Sequence, residues 1–224
     1  MGESKKKLTG AEIIWECLIQ EGVDVVFGYP GGTILPAYDA LNNYSDKIHH
    51  VLVRHEQGAT HMADGYARSS GKVGVAMATS GPGAANMVTG IATAMMDSSP
   101  IVCITGQVPR AAIGSDAFQE TDIAGTVIPV SKHSYLVMDI HNLASTIKEA
   151  FTVARSGRPG PVLVDIPKDI QTEAIEFDYP LGPVTIPGNN IAQKAELNEL
   201  EQAATLIGKA KKPVILAGHG ILIS

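Results

Sequence analysis

The sequence predicts an α/β fold in which a doubly wound parallel sheet is covered by helices on both faces. Short apolar runs rich in β-branched residues recur along the chain, segments with helical periodicity separate them, and glycine-rich turns follow several of the runs. Strands of a parallel sheet are buried on both faces and therefore read as nearly continuous apolar runs. Their regular alternation with helices is typical of a doubly wound sheet.

Six strands and five helices are predicted before the pattern lapses at Gln171. The strands are "VDVVFG", "HHVLVRH", "KVGVAMA", "PIVCITG", "HSYLVMDI" and "GPVLVDIP". The first helix begins at the capping box "TGAE" and stops at Gly22. The second covers about Thr33–Leu41, the third carries Glu56, and the last two are "AANMVTGIATAMMDSS" and "NLASTIKEAFTVARSG". A long connection over residues 107–131 contains one helical turn near "TDIAG".

Three regions follow from this pattern. Residues 1–175 form the first domain, residues 176–195 a linker rich in Pro, Gly and Asn, and residues 196–224 the start of a second α/β domain. The tail supplies one helix, one strand ("PVILAGHG") and a glycine turn, too little to bury a core of its own. It therefore looks like the opening of a domain that has been cut off.

Composition excludes several classes of function. The formal net charge of −6 gives a nucleic-acid partner no electrostatic support, and Lys5-Lys6-Lys7 is expected to be a solvated N-terminal arm. No apolar run approaches the ~20 residues of a membrane span, and no secretory leader is recognised. Cys17 and Cys103 lie in apolar patterns and are expected to be core residues of a reducing compartment. We expect a location in the cytoplasm or an organelle interior.

The stretch "RHEQGATHMADGYAR" places Glu56 in the first turn of a predicted helix, directly after a strand. A glutamate there can complement the helix dipole, or it can be a catalytic acid/base. A zinc site is disfavoured, because His55 and His61 are six residues apart and point about 240° away from each other around a helix.

Glycine-rich turns follow two of the strands. "TSGPGAAN" can hold phosphate through backbone N–H groups, but it lacks the known phosphate-binding patterns, so a tight turn is the better interpretation. "GYPGG", which ends at Gly32, lies where open α/β sheets bind their ligands. Lys168 follows the last strand and is expected to be solvated in the absence of other information.

The connection "GQVPRAAIGSDAFQETDIAG" differs from an ordinary loop in its length. It carries Pro109, Phe118 and Gln119 among small residues. An aromatic ring beside an amide, at the ligand-binding edge of the sheet, suits contact with a small polar substrate. A loop that merely fills space is the alternative.

The segments "GVDVVFGYPGG", "RHEQGATHMADGYAR", "ATSGPGAANMVTGIATAMMDSSP", "GQVPR", "DAFQETDI" and "GRPGPVLVDIPKDIQ" together closely resemble the acetolactate synthase (acetohydroxyacid synthase) catalytic subunits, a family of thiamine diphosphate enzymes. The resemblance runs from about Lys7 to Ile221. "SGPG" and the His-Glu pair fit many thiamine diphosphate enzymes. "GQVPR" followed by "DAFQE" favours acetolactate synthase over pyruvate oxidase or oxalyl-CoA decarboxylase relatives.

The resemblance implies an enzyme of three α/β domains: the first binds the aminopyrimidine of thiamine diphosphate, the middle one FAD, and the third diphosphate and Mg²⁺. This chain would contain the first and the opening of the middle one, so no metal ligand is assigned to it. The implied reaction joins pyruvate to pyruvate or 2-ketobutyrate with loss of CO2, in isoleucine and valine biosynthesis. The chain alone is expected to be inactive.

The resemblance also implies roles for individual residues. Glu56 looks like the catalytic glutamate that hydrogen-bonds the aminopyrimidine ring, since a carboxyl group in a mostly apolar pocket can share a proton with a ring nitrogen. Gly32 is similar to the backbone that approaches the reacting centre. Phe118 and Gln119 resemble substrate-side residues.

Three further residues match positions along the family's cofactor and substrate channel. Arg158, in "SGRPGP", resembles the arginine that reaches FAD, with a helix C-terminal cation as the alternative. Pro109 and Lys168 match positions where sulfonylurea-type inhibitors bind, and are implied to be contacts rather than catalysts.

The resemblance implies a homodimer with the active site at the subunit interface, and a separate regulatory subunit as a further partner. Two other hypotheses stay open. One is a sister 2-keto acid decarboxylase or carboligase that uses the loop around Gln119 differently. The other is a free-standing, non-catalytic domain that binds a nucleotide or a partner subunit.

Overall fold

The computed structural model describes residues 6–186 and 194–223. Contacts divide the chain into two units, Met1–Pro187 and Gly188–Ser224. No helix in the described ranges is both long enough and apolar enough to span a membrane.

A six-stranded, wholly parallel sheet organises the first unit, and each of its strands was predicted. Its strands are β2 (Val25–Gly28), β3 (His49–Leu52), β4 (Gly74–Ala78), β5 (Ile101–Gln107), β6 (His133–Leu136) and β7 (Val162–Pro167). Their order is β3-β2-β4-β5-β7-β6. Two short strands, β1 (Lys7–Thr9) and β8 (Ala174–Glu176), form a separate antiparallel pair.

Helices cover both faces of the sheet, as the predicted fold class requires. They are α1 (Gly10–Gln20), α2 (Leu35–Ala40), α3 (Glu56–Ser70), α4 (Pro82–Asn86), α5 (Val88–Asp97), α6 (Ile123–Thr126), α7 (Leu143–Arg155) and α8 (Lys168–Thr172). Successive residues of β4 belong to opposite cores: Val75 and Met77 pack with α1 and α7, whereas Ala76 and Ala78 pack with α3 and α5. This alternation explains the continuous apolar runs of the sequence.

The first helix begins as predicted. The Thr9 hydroxyl accepts from the Glu12 backbone N–H (3.2 Å), and the Glu12 carboxylate accepts from the Thr9 N–H (2.8 Å). Gly22 adopts a left-handed φ of 77°, which a glycine accommodates after a helix end. Cys17 and Cys103 are buried and free, and burial raises the pKa of both thiols.

Two predicted helices differ from the structure. The second begins at Leu35 instead of Thr33, because Thr33 is engaged in hydrogen bonds with Thr79. The segment "AANMVTGIATAMMDSS" belongs to two helices, α4 and α5, which meet at Met87.

The predicted linker begins with ordered structure. Glu176 is the last residue of β8, and Phe177, Tyr179 and Ile186 pack against the core of the first unit. Contacts group these residues with the first unit. The domain boundary at residue 175 stays a prediction. Pro and Gly suggested a linker, but the aromatic side chains between them provide apolar surface for packing. Residues 187–193 of the predicted linker lie outside the described residues.

The N-terminal arm also differs in part from its prediction. Lys7 belongs to β1, and the Lys6 carbonyl accepts a hydrogen bond from the Phe177 N–H at 2.9 Å. Lys5 lies outside the described residues.

The second unit contains the predicted helix, α9 (Leu197–Lys209), and a short helix, α10 (Gly220–Ile223). The strand predicted at "PVILAGHG" is not formed. A β-strand requires hydrogen bonds to a neighbouring strand, and residues 194–223 contain none. Whether this unit begins a second α/β domain stays a prediction.

Candidate active site

Glu56 is the first residue of α3 and follows the carboxyl end of β3. Its N-cap, His55, has an extended backbone, and the imidazole Nδ1 accepts from the Gln57 N–H at 3.2 Å. Only 8% of the Glu56 surface is exposed. A buried carboxylate needs hydrogen-bond donors, and Asn86 supplies one from Nδ2 to Oε2 at 2.9 Å.

The other carboxylate oxygen of Glu56 faces a glycine. A Cβ atom at Gly83 would lie 3.1 Å from Oε1 and 2.7 Å from the Thr79 Cγ2. A Cβ atom at Gly31 would lie 2.5 Å from the same Thr79 methyl group. The two glycine-rich turns, "GYPGG" and "TSGPG", therefore meet at Thr79, beside Glu56.

Hydroxyl groups hold these two turns together. The Thr33 and Thr79 hydroxyls lie 2.9 Å apart, and the Ser80 N–H donates to the Thr33 hydroxyl at 2.9 Å. The carbonyl of Thr33 accepts from Gln171 Nε2, also at 2.9 Å. Gly31 and Gly83, which face Thr79 from the two turns, leave a cleft beside Glu56 that we call the glycine cradle. These hydrogen bonds keep the cradle in one conformation.

The predicted substrate loop reaches the same place. A Cβ atom at Gly81 would lie 2.7 Å from the Gln119 carbonyl oxygen, so the backbone of Gln119 packs on the "TSGPG" turn. Gly81 and Gln119 both have left-handed φ values, 60° and 61°. Phe118, the preceding residue, is 88% exposed. The structure thus brings Glu56 and Gln119 to neighbouring parts of one glycine turn.

Other predicted site residues lie around this centre. Gly32 is exposed, with open space where its Cβ would be, so its backbone is accessible. Pro109 is exposed and precedes a single turn of 3-10 helix. The next residue, Arg110, forms an ion pair with Asp169 at 2.7 Å, which places Pro109 beside Lys168. Lys168 is half-buried, and its ammonium group has no hydrogen-bond partner among the described residues.

Arg158 lies apart from the other candidates. Its guanidinium donates to the carbonyls of Met95 and Met96 (3.1 and 3.0 Å) and to the Ser98 hydroxyl (2.8 Å). It precedes β7 and is thus at the amino end of the sheet, whereas Glu56 is at the carboxyl end. This is the geometry of a cation at the C-terminus of a helix, here α5. The FAD role stays a prediction.

Sequence reasoning missed several supporting residues. Asn86 is the last residue of the turn segment "TSGPGAAN", but its contact with Glu56 depends on tertiary structure. Asp165 and Gln107 are polar residues in otherwise buried strands, and a carboxylate inside "VLVDIP" was a signal that could have been used. In the described ranges, no group of three or more His, Cys, Asp or Glu side chains is arranged to hold a metal.

Open parallel sheets bind ligands beyond the carboxyl ends of their strands, and the cradle around Glu56 lies at that edge. The fold and site therefore define a ligand-binding domain of the doubly wound α/β class. Residues 8–126 match the family described as "Thiamine pyrophosphate enzyme, N-terminal TPP binding domain", and the chain belongs to this family.

Curated relatives share about half of their aligned residues with this chain. It is 50% identical to an acetolactate synthase of Arthrospira platensis over 226 residues, 99% of this chain and 39% of the relative. It is 50% identical to an acetolactate synthase large subunit of Corynebacterium glutamicum over 217 residues (97% and 34%). A probable acetolactate synthase large subunit of Methanocaldococcus jannaschii is 49% identical over 219 residues (97% and 37%). The chain thus spans between 34% and 39% of these relatives.

Proposed function

We propose that this chain is the cofactor-activating N-terminal part of an acetolactate synthase. The observation that carries the proposal is the Glu56 carboxyl group, buried at the carboxyl edge of the sheet with Oε2 held by Asn86 and Oε1 facing the glycine cradle. The similarity to acetolactate synthases over nearly the whole chain supports it.

The residues present suit the aminopyrimidine of thiamine diphosphate. Gly31 and Gly83 leave a cradle that a Cβ atom would fill, and a flat ring fits against a backbone without side chains. When bound, this cofactor supplies the electron sink for decarboxylating a 2-keto acid. Glu56 would hold a proton toward a ring nitrogen of this cofactor through Oε1, and Asn86 keeps the carboxyl group oriented.

The loop supplies the substrate side of the proposed site. Gln119 offers an amide and Phe118 an exposed ring, which suit a small keto acid such as pyruvate or 2-ketobutyrate. We assign Gly32, Pro109 and Lys168 to the route by which the keto acid would reach the site. Loss of CO2 from pyruvate and addition to the second keto acid would give 2-acetolactate or 2-aceto-2-hydroxybutyrate.

The proposed enzyme needs further cofactors and partner subunits. This chain spans about a third of the length of its relatives. We assign the binding of diphosphate and Mg²⁺ to the part of the enzyme that lies outside this third. We assign Arg158 a contact with FAD. A second large subunit would complete the site, and a regulatory subunit would be a further partner.

A chimera tests the proposal. This chain replaces the corresponding segment of the Corynebacterium glutamicum relative, and acetolactate formation from pyruvate is measured. We expect activity, and a loss of about 10²- to 10⁴-fold in Glu56→Gln, because general acid–base catalysis contributes about that factor. Glu176→Gln, an exposed carboxylate in β8, is the matched control and should retain activity.

Other outcomes of the same experiment separate the alternatives. Acetaldehyde as the main product would favour a sister decarboxylase. A chimera without activity, whose Glu56→Gln variant binds thiamine diphosphate as the unmodified chimera does, would contradict the proposal and favour a non-catalytic binding domain.

A further inference from the structure

One buried side chain connects the two ends of the substrate loop, residues 108–121. Gln107 is the last residue of β5 and is 3% exposed. Its Oε1 accepts from the Val108 N–H at 2.8 Å, where the loop begins. Its Nε2 donates to the Thr121 carbonyl at 2.8 Å, where the loop ends.

A carboxylate fixes the orientation of this amide. Asp165, on the adjacent strand β7, is 1% exposed and accepts from Gln107 Nε2 at 2.8 Å through Oδ2. Its other oxygen accepts from the Thr105 hydroxyl at 2.7 Å. Because an ionised carboxylate only accepts, the NH2 group of Gln107 must face it, and Oε1 is left for the Val108 N–H.

The tip of the loop is braced by a separate group. The Glu120 carboxylate accepts from the backbone N–H groups of Gly114 and Ala117, the latter at 3.0 Å. These hydrogen bonds to backbone N–H groups lower the pKa of Glu120. The tip is thus an ordered unit that displays Phe118, and its placement depends on how its ends are attached.

We propose that Gln107 is a positioning residue for this loop, and that Asp165 orients its amide. The catalytic consequence rests on the proposed function: Gln119 can meet a keto acid only if the loop stays packed on Gly81. Gln107 itself is enclosed by strand ends and acts through the loop.

Hydrogen exchange on the 224-residue chain tests the positioning role without any assumption about activity. Gln107→Met preserves the volume and removes both attachments, so we expect the amides of residues 108–121 to exchange about tenfold faster or more, since each net hydrogen bond lost corresponds to roughly that factor.

Gln171→Met is the matched control. Gln171 is also fully buried, and its Nε2 also donates to two backbone carbonyls, those of Thr33 and Ile166, neither of which belongs to the loop. Its variant should leave loop exchange unchanged. Unchanged loop exchange in Gln107→Met, or equal acceleration in both variants, would overturn the proposal.

Gln107→Glu gives a second test that does not depend on the methionine variant folding. Its carboxylate still accepts from the Val108 N–H, but it repels Asp165 and cannot donate to Thr121. At lower pH the two facing carboxyl groups share a proton, which removes their repulsion and leaves the Val108 attachment in place. We expect loop protection, corrected for intrinsic exchange, to recover on acidification in this variant alone; equal protection at all pH values would contradict the role.

Kinetic measurements on the Corynebacterium glutamicum chimera test whether the position of the loop affects catalysis. Gln107→Met should raise KM for the keto acid by about tenfold or more through misplacement of the loop, while the Kd for thiamine diphosphate stays the same. An equal loss of cofactor affinity would indicate general damage and count against a positioning role. If the unmodified chimera were inactive and Glu56→Gln left its binding of thiamine diphosphate unchanged, the proposed function would fail, and the exchange experiment would still decide the role of Gln107.

Discussion

Asn86 donates a hydrogen bond from Nδ2 to Glu56 Oε2 at 2.9 Å, which joins the last residue of α4 to the first residue of α3. The donor of this hydrogen bond is an uncharged amide. One oxygen is fixed by this bond, and the other faces the cradle formed by Gly83. The bond therefore decides which oxygen is left for a ligand.

Replacing Asn86 by alanine should destabilise the first unit. The variant leaves Oε2 of a buried carboxylate without its donor, and we expect the free energy of unfolding to fall by about 1–3 kcal/mol. Urea unfolding of the 224-residue chain measures this. Asn42→Ala removes an exposed amide that donates to the Asp39 carbonyl, and should change stability far less. Equal effects of the two variants would contradict the role assigned to Asn86.

Two glycine-to-alanine substitutions should change the free energy of unfolding in opposite directions. At Gly83 the new methyl group would lie 2.7 Å from the Thr79 methyl group, so we expect a loss of about 1–3 kcal/mol from overpacking. At Gly65, inside α3, no atom lies within 4 Å of the added Cβ, and alanine should stabilise the helix by about 0.5–1 kcal/mol.

Thermal or urea unfolding of both variants checks these signs. In the chimera, Gly83→Ala should also weaken binding of thiamine diphosphate, whereas Gly65→Ala should not. A stabilising Gly83→Ala variant with unchanged cofactor binding would show that the cradle beside Glu56 is not needed.

The sheet could be predicted because its signal is local. Each strand is a continuous apolar run between glycine turns, and the first helix carries its own capping box, Thr9 with Glu12. Glu56 stood out for a similar reason, since a carboxylate follows an apolar strand directly. These features require only near neighbours in the sequence.

Contacts between distant residues could not be predicted in the same way. Gln107 and Asp165 are 58 residues apart, and nothing in either segment shows that they share a hydrogen bond. The packing of Phe177 and Tyr179 on the core could not be predicted for a related reason, since residues typical of a linker surround them. A strand at "PVILAGHG" was predicted from apolar character alone, without a partner strand.

The capping box provides a simple test of local stability. Thr9→Ala removes the acceptor for the Glu12 N–H, and we expect the free energy of unfolding to fall by about 1 kcal/mol. Thr93→Ala is the control, because the Thr93 hydroxyl donates to the Thr89 carbonyl within α5 and caps nothing. Urea unfolding compares the two. A larger loss in Thr93→Ala would argue against the capping role.

Asp165 should make the stability of the first unit depend on pH. Burial raises the pKa of this carboxyl group to about 6, and the charge of Asp122 adds to the effect, while hydrogen bonds from Thr105 and Gln107 oppose it. The folded chain therefore binds this proton more tightly than the unfolded chain does. The resulting stabilisation is fully present below about pH 4 and is lost as the pH rises through about 6.

Asp165→Asn isolates this contribution. The asparagine can accept from Gln107 through its oxygen and donate to the Thr105 hydroxyl, but it does not titrate. Between pH 4 and pH 7, the free energy of unfolding of the unmodified chain should fall relative to the variant by up to about 3 kcal/mol. Urea unfolding at several pH values measures both chains, and the other carboxylates cancel in the difference. Parallel curves would mean that Asp165 is ionised in the folded chain throughout this range, so that burial does not control its charge.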